Sequence, residues 1–176
     1  MKPRARTLAH ALGVSTLLLS AWVTWADELP EYRLKAAFLY NFALFTEWPA
    51  EVGSTVTLCI HGNDPFGKEI DGLNGKAVGG RSIAVRRDVH LQALPECQIV
   101  FVATSAAGDL PRVLDELRDK PVLTVADSQG AGRRGVVLNM AVAQNKITFE
   151  ANLQAARAVR LNLSSKLLRL ATEVFQ

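Results

Sequence analysis

The chain has 176 residues, with 20 lysines and arginines against 17 aspartates and glutamates, three histidines and two cysteines. Three of the 20 basic residues, Lys2, Arg4 and Arg6, lie in an N-terminal segment without an acid, so the rest of the chain carries 17 basic against 17 acidic residues. A neutral chain has no global field to draw it onto nucleic acid or anionic lipid, and two cysteines alone do not make a metal site.

Residues 1–26 read as an export signal. Met1-Lys-Pro-Arg-Ala-Arg6 is a basic n-region, Leu8 to Val23 is largely apolar, and Thr24-Trp-Ala26 places small residues at −3 and −1 before Asp27. The alternative is a retained anchor, for which His10, Ser15, Thr16 and Ser20 make a poor spanning helix. No cysteine follows the apolar run, as a lipoprotein would require. Asp27 to Gln176 is then about 150 residues, one domain able to bury a core.

Leu34, Phe38, Phe42 and Phe45 recur at i, i+4, i+8 and i+11, which predicts an amphipathic helix ending at Trp48-Pro49 with this stripe as its buried face. Its aromatic residues exceed what one core stripe requires, and the surplus could dock a partner or a second copy. Thr55 to Ile60 is β-branched and apolar, the first predicted strand. Gly62-Asn-Asp-Pro65 is a turn, and Pro65 to Leu73 a short helix. Ser82 to Asp88 is a weakly alternating strand with Ile83 and Val85 on one face. Gln98 to Ala103 is almost wholly apolar, as a central parallel strand covered on both faces should be.

Leu110, Val113, Leu114 and Leu117 mark the next helix, with Asp109 as its expected cap and Pro111 in its first turn. Val122 to Val125 is a short buried strand, and Gly130 to Gly135 reads as a solvated glycine and arginine turn. Val136 to Val142 and Lys146 to Phe149 form a hairpin turning at Gln144-Asn145. From Leu153 onward the chain is predicted helical, with Leu163, Leu167, Ala171 and Val174 as its last apolar stripe. Alternating strands and helices followed by a hairpin argue an α/β fold: a three-layer domain with a mainly parallel sheet, a C-terminal β-hairpin and terminal helices.

In an oxidising compartment Cys59 and Cys97 would form a bridge, the other reading being two buried free thiols. The chain has no GxSxG elbow, phosphate-binding P-loop or HExxH and no GxGxxG after the first strand, and the glycines of Gly130-Ala-Gly-Arg-Arg-Gly135 join two predicted strands with no helix N-terminus behind them, so neither a catalytic group nor a cofactor is expected. His61 with Asp64 at the end of the first strand is the one enzyme-like pairing. Arg81 and Arg86-Arg87 could meet an acidic ligand or merely keep a sheet edge soluble. Glu150 ends the last strand and must be solvated, paired with a group such as Arg157, or presented to a partner, with Asn152 as a helix cap beside it.

Lys35-Ala-Ala-Phe-Leu-Tyr-Asn-Phe-Ala-Leu-Phe-Thr-Glu-Trp-Pro49 resembles the opening motif of the YfiR family of periplasmic proteins. Matches follow in order at Cys59-Ile-His-Gly-Asn-Asp-Pro-Phe66, Gly80-Arg-Ser-Ile83, Cys97-Gln-Ile-Val-Phe101 and Leu123-Thr-Val-Ala-Asp127. Asn145-Lys-Ile-Thr-Phe-Glu-Ala-Asn-Leu153 and Leu163-Ser-Ser-Lys-Leu-Leu-Arg-Leu-Ala171 complete the run. The resemblance implies a periplasmic repressor of an inner-membrane diguanylate cyclase, acting on the cyclase's periplasmic sensor domain and lowering cyclic-di-GMP. It also implies an outer-membrane lipoprotein that can sequester the repressor, a homodimer, and a Cys59–Cys97 disulfide. Well-known members carry a second cysteine pair near the 127–137 loop and a Phe before a Gly-Gly pair; this chain has no cysteine there and reads Ala131-Gly-Arg-Arg-Gly135. The competing reading is a periplasmic small-molecule sensor or carrier with Arg81, Asp127 and Glu150 lining a pocket at the strand ends. Asn152 and Arg157 complete the candidate binding residues.

Overall fold

The computed structural model describes residues 28–176, so the predicted signal segment lies outside the described residues. Helix α1 (Glu28–Leu44) leads through β1 (Thr46–Glu47) to β2 (Thr55–His61), whose Val-Thr-Leu-Cys-Ile run suits a pleated surface. Then come β3 (Ala77–Val78), β4 (Arg81–Arg86), β5 (Ile99–Val102), α2 (Leu110–Glu116), β6 (Leu123–Ala126), β7 (Leu138–Ala143) and β8 (Lys146–Asn152). The chain ends with α3 (Leu153–Ala158), β9 (Asn162–Leu163), α4 (Ser165–Leu168) and β10 (Glu173–Phe175). Among the described residues no helix is long and apolar enough to cross a membrane.

Eight strands form one sheet in the order β10-β8-β7-β6-β5-β2-β4-β3, parallel except for the β3–β4 and β7–β8 pairs. β1 and β9 form a separate antiparallel pair. The central strands β5 and β6 are buried at every position, the result expected for parallel strands with both faces covered. Leu58, Ile60, Ile99, Phe101, Leu123 and Val125 face the layer that contains α1. Cys59, Val100, Val102 and Ala126 face the layer that contains α2, where Leu110, Val113 and Leu117 pack. This is the α/β architecture the element pattern predicts.

The structure corrects three local expectations. The buried face of α1 is Lys35, Ala36, Leu39, Phe42 and Ala43, while Leu34 is exposed and Phe38 and Phe45 sit half-buried at the flank. Ala36 and Ala43 let the helix approach the sheet closely, which turns its larger residues to one side. Asp109 precedes α2 but its side chain caps no backbone N–H; Pro111 supplies the helix start instead. The C-terminal stretch is not one helix. Arg160, at φ 59°, stops the chain after α3, Ser164 caps α4 through Leu167 N–H, and Val174 pairs with Ala151 as part of a new edge strand. Leu163, Leu167 and Val174 therefore satisfy a helical period while packing in three different elements.

Cys59 and Cys97 are joined by a disulfide with Cα atoms 6.0 Å apart, closing a separation of 38 residues. Both are fully buried, so the bond ties β2 to the chain two residues ahead of β5 inside the α2 layer. The hairpin turns at Gln144 and Asn145, both with left-handed φ of 50° and 58°. That pairing is a type I′ geometry for which Asn-Gly is the preferred sequence. Replacing Gln144-Asn145 by Asn-Gly should raise stability by roughly 1 kcal/mol, read as a shift in the urea midpoint at constant slope. The double variant Cys59→Ala, Cys97→Ala should lose about 4 kcal/mol, and an unchanged midpoint would rule out a stabilising bridge.

Candidate functional site

In an open α/β sheet the crevice lies beyond the carboxyl ends of the strands, where the order reverses. Here that place is between β2 and β5, where the loops that follow the two strands pack closely. Gly62 (φ 94°) follows β2, and a Cβ there would come within 2.8 Å of both the Ala106 Cβ and Ser105 Oγ. Asn63 N–H donates to Ser105 Oγ at 2.9 Å, fastening the two loops together.

The neighbouring end of β6 carries Asp127, whose carboxylate is 1% exposed. Lys35 Nζ, itself 4% exposed, donates to its Oδ2 at 2.7 Å, and Tyr32 OH donates to the same oxygen at 3.2 Å. Thr104 Oγ1, just past β5, donates to Oδ1 at 2.9 Å. Glu31 Oε1 lies 2.5 Å from Lys35 Nζ, and the ammonium sits 4.4 Å from the Tyr32 ring centre. Burial pulls the lysine toward its neutral form, but hydrogen bonds to Asp127 and Glu31 outweigh it and hold the ammonium above its usual range. Burial, then the Asp127 charge, pushes the Tyr32 phenol up to about 12. The cluster joins α1 to the ends of β5 and β6 as a closed clamp. A cleft of about 280 Å³ lies beside it, lined by Tyr32, Phe66 and the 64–69 turn.

Asp127 is the only one of the three proposed pocket residues in this clamp. Arg81 lies at the amino end of β4, at the other end of the sheet, and donates to the carbonyls of Gly53 (2.9 Å) and Val52 (3.2 Å). Glu150 faces the α2 side of β8, where Asn139 Nδ2 donates to it at 3.2 Å. Arg157 is exposed and makes no ion pair with Glu150 among the described residues. Asn152 caps α3 by accepting Ala155 N–H at 2.8 Å, and its Nδ2 donates to the Gly132 carbonyl at 2.9 Å. The three residues of the sensor reading therefore do not line one pocket.

His61 and Asp64 are likewise separated in their bonding. His61 Nδ1 is 2.9 Å from the Val89 carbonyl and Nε2 is 3.6 Å from Asp109. Asp64 accepts Phe66 N–H and Arg87 Nε. The 130–135 segment, expected to be solvated, is packed. Ala131 is buried, Gly132 lies so close to Glu150 that a Cβ would be 2.8 Å from its Oε2, and Arg133 binds both oxygens of Glu173 over the Phe175 ring. Lys35, Tyr32 and Thr104 were missed from sequence. The available signal was a lysine at 35 in phase with Leu39, Phe42 and Thr46, where a charge is stable only if paired.

Lys35→Met leaves a buried carboxylate without its cation and should cost about 3 kcal/mol. The raised Lys35 and Tyr32 values mean that the charged ammonium and the neutral phenol are favoured by folding. Their contribution is complete below the ordinary pKa values of about 10 and is lost as pH rises through the raised ones. The melting temperature should fall above about pH 10 less steeply in Lys35→Met than in the natural protein. Equal alkaline slopes would show that the clamp does not set this limit.

Two solved structures share the fold. A conserved domain protein from Vibrio cholerae O1 biovar El Tor superposes with a TM-score of 0.57 at 8% identity, over 81% of this chain and 60% of that one. An ABC domain from Streptococcus pneumoniae in complex with L-Trp gives 0.53 at 7% identity, over 82% and 60%. The chain thus spans about 60% of the length of these structures, and identities this low speak to fold alone. The YfiR/HmsC-like family model matches residues 32–172, from Tyr32 of the clamp to Thr172 before the last strand. With Tyr32, Lys35, Thr104 and Asp127 of the clamp and every strand of the sheet but β10 inside the matched region, the chain belongs to the YfiR/HmsC-like family.

Proposed function

We propose that this protein is exported to the periplasm and represses an inner-membrane diguanylate cyclase by binding the cyclase's periplasmic sensor domain, thereby lowering cyclic-di-GMP. Family membership supports a regulatory role of this kind. The observation that carries the reading is an apolar flank beside α1. Leu34 is 50% exposed and Leu170 70% exposed, and Phe38, Phe45, Leu168, Ala171 and Val174 are half-buried against the core of the α1 layer. Exposed apolar side chains together with half-buried aromatic ones suit a docking surface, for which aromatic residues are the usual anchors.

Repression by such a surface needs no catalytic group. The protein must bind the inactive cyclase better than the active one, and only that difference shifts the population. A hundredfold bias corresponds to about 2.7 kcal/mol, which burial of roughly 110 Å² of apolar surface supplies. Sequestration by an outer-membrane lipoprotein would release the cyclase by competing for the same flank.

Deleting the gene in its host should raise intracellular cyclic-di-GMP, and an exported copy, but not a signal-less one, should restore the level. Leu34→Asp and Leu170→Asp should leave the melting curve within about 0.5 kcal/mol of the natural protein and fail to restore it. No rise on deletion, with the protein demonstrably expressed, would remove the repressor reading. Full restoration by both flank variants would move the docking surface elsewhere.

A further inference from the structure

The C-terminal part of the chain breaks the charge balance of the rest. Residues 151–172 carry Arg157, Arg160, Lys166 and Arg169 and no acid, in a chain that is otherwise matched in charge beyond its N-terminal segment. Elsewhere exposed arginines are neutralised locally: Arg33 by Glu69, Arg86 by Glu96, Arg87 by Asp64 and Asp71, and Arg118 by Asp115. Arg160 reaches Glu51 in the same way. Lys166 and Arg169 have no carboxylate within ion-pair distance among the described residues.

The geometry of α4 decides where those two cations point. Its turns continue past Leu168, with Leu170 N–H donating to the Leu167 carbonyl and Ala171 N–H to the Leu168 carbonyl. Leu167, 2% exposed, anchors the inner face in the α1 layer, and Leu168 is half-buried against the same core. Lys166, Arg169 and Leu170, at i, i+3 and i+4, share the outer face and are all exposed. Like charges at this spacing repel each other, and no acid of the chain offsets the repulsion. Leu170 is a residue that the repressor reading places on the docking surface, so the two cations border that surface.

We infer, resting on the repressor reading, that the face of the cyclase's sensor domain that meets this surface is acidic, with carboxylates opposite Lys166 and Arg169 and an apolar recess opposite Leu170. Charged groups at the rim of an interface steer the encounter and fix its register, while the buried apolar contact sets how long the complex lasts. Both cations can pair on binding without first breaking a bond within the chain. Arg133 cannot, because Glu173 already holds its guanidinium. An anionic bilayer is the other surface with matching charge, but the neutral chain has no overall field to keep it there.

The test measures repression of the full-length cyclase, in detergent-solubilised membranes of the deletion strain, by added protein. The concentration giving half-repression is read at about 50 mM and about 300 mM salt, between which the Debye length falls from about 14 Å to about 6 Å. The natural protein should need about tenfold more at the higher salt. The double variant Lys166→Gln, Arg169→Gln should melt like the natural protein, need about tenfold more at the lower salt, and lose most of the salt dependence. Lys166→Glu with Arg169→Glu should repress more weakly still, and Lys166→Arg with Arg169→Lys should match the natural protein. Half-repression that is equal at both salts, or unchanged in the glutamine variant, overturns the proposal and leaves the repressor reading standing. No repression by the natural protein at either salt overturns both. Sedimentation of the natural protein, but not of the glutamate variant, with phosphatidylcholine–phosphatidylglycerol vesicles would assign the cations to a lipid surface and also overturn it.

Discussion

The carboxylate of Asp127 is the constraint around which the carboxyl end of the sheet is built. A carboxylate 1% exposed is stable only when its charge is matched and its lone pairs are used, and two separate parts of the chain supply those groups. Lys35 and Tyr32 come from α1, Thr104 from the end of β5, and Asp127 itself from the end of β6. None of these donors can move without leaving a buried charge unsatisfied. The clamp therefore fixes both the rotation and the axial position of α1, at the end of the sheet where ligand sites of this architecture are usually found.

That fixed rotation decides which residues of α1 meet solvent. With Lys35 and Ala36 turned down, Leu34 is turned out, and Phe38 and Phe45 are left at the margin of the core. Phe38 still packs on Phe149 with ring centroids 6.0 Å apart, so the flank is rigid rather than loosely attached. A rigid apolar margin costs little ordering entropy when a partner covers it, which suits a binding module. The close packing of Gly62, Ser105 and Ala106 at the β2–β5 crevice points the same way. The loops after β2 and β5 pack against each other there, and the Asp127 carboxylate at the end of β6 is bonded to Lys35, Tyr32 and Thr104.

Much of the fold was legible because burial on both faces leaves a plain trace. β5 and β6 are short apolar runs that a helix of four or five residues could not explain, and the hairpin was marked by two turn residues between alternating segments. The C-terminal region was not legible for a physical reason. Leu163, Leu167, Ala171 and Val174 lie three or four residues apart, yet Leu163 pairs beside Thr46 and Val174 beside Ala151. Periodicity records only that residues are buried at intervals, whereas here distant strands do the burying. The same limit applies to the site. Asp127 and Glu150 were visible as acids at strand ends, but their donors come from residues 92 and 11 positions away in the chain.

The 130–135 segment shows how a sequence that reads as loose can be held in place by residues far from it. Gly132 is there because Glu150 and Phe175 leave no room for a Cβ, and its carbonyl is held by Asn152 while Arg133 reaches Glu173. These bonds run from the loop to β8 and β10 together, so the three-residue edge strand is secured by side chains as well as by its ladder. Removing Arg133 would loosen β10, and with it the Val174 and Ala171 side of the apolar flank. The loop that differs from the well-known YfiR pattern is in this way mechanically continuous with the surface proposed to meet the cyclase. A change of sequence at 131–135 can therefore alter partner choice without any of those residues touching the partner.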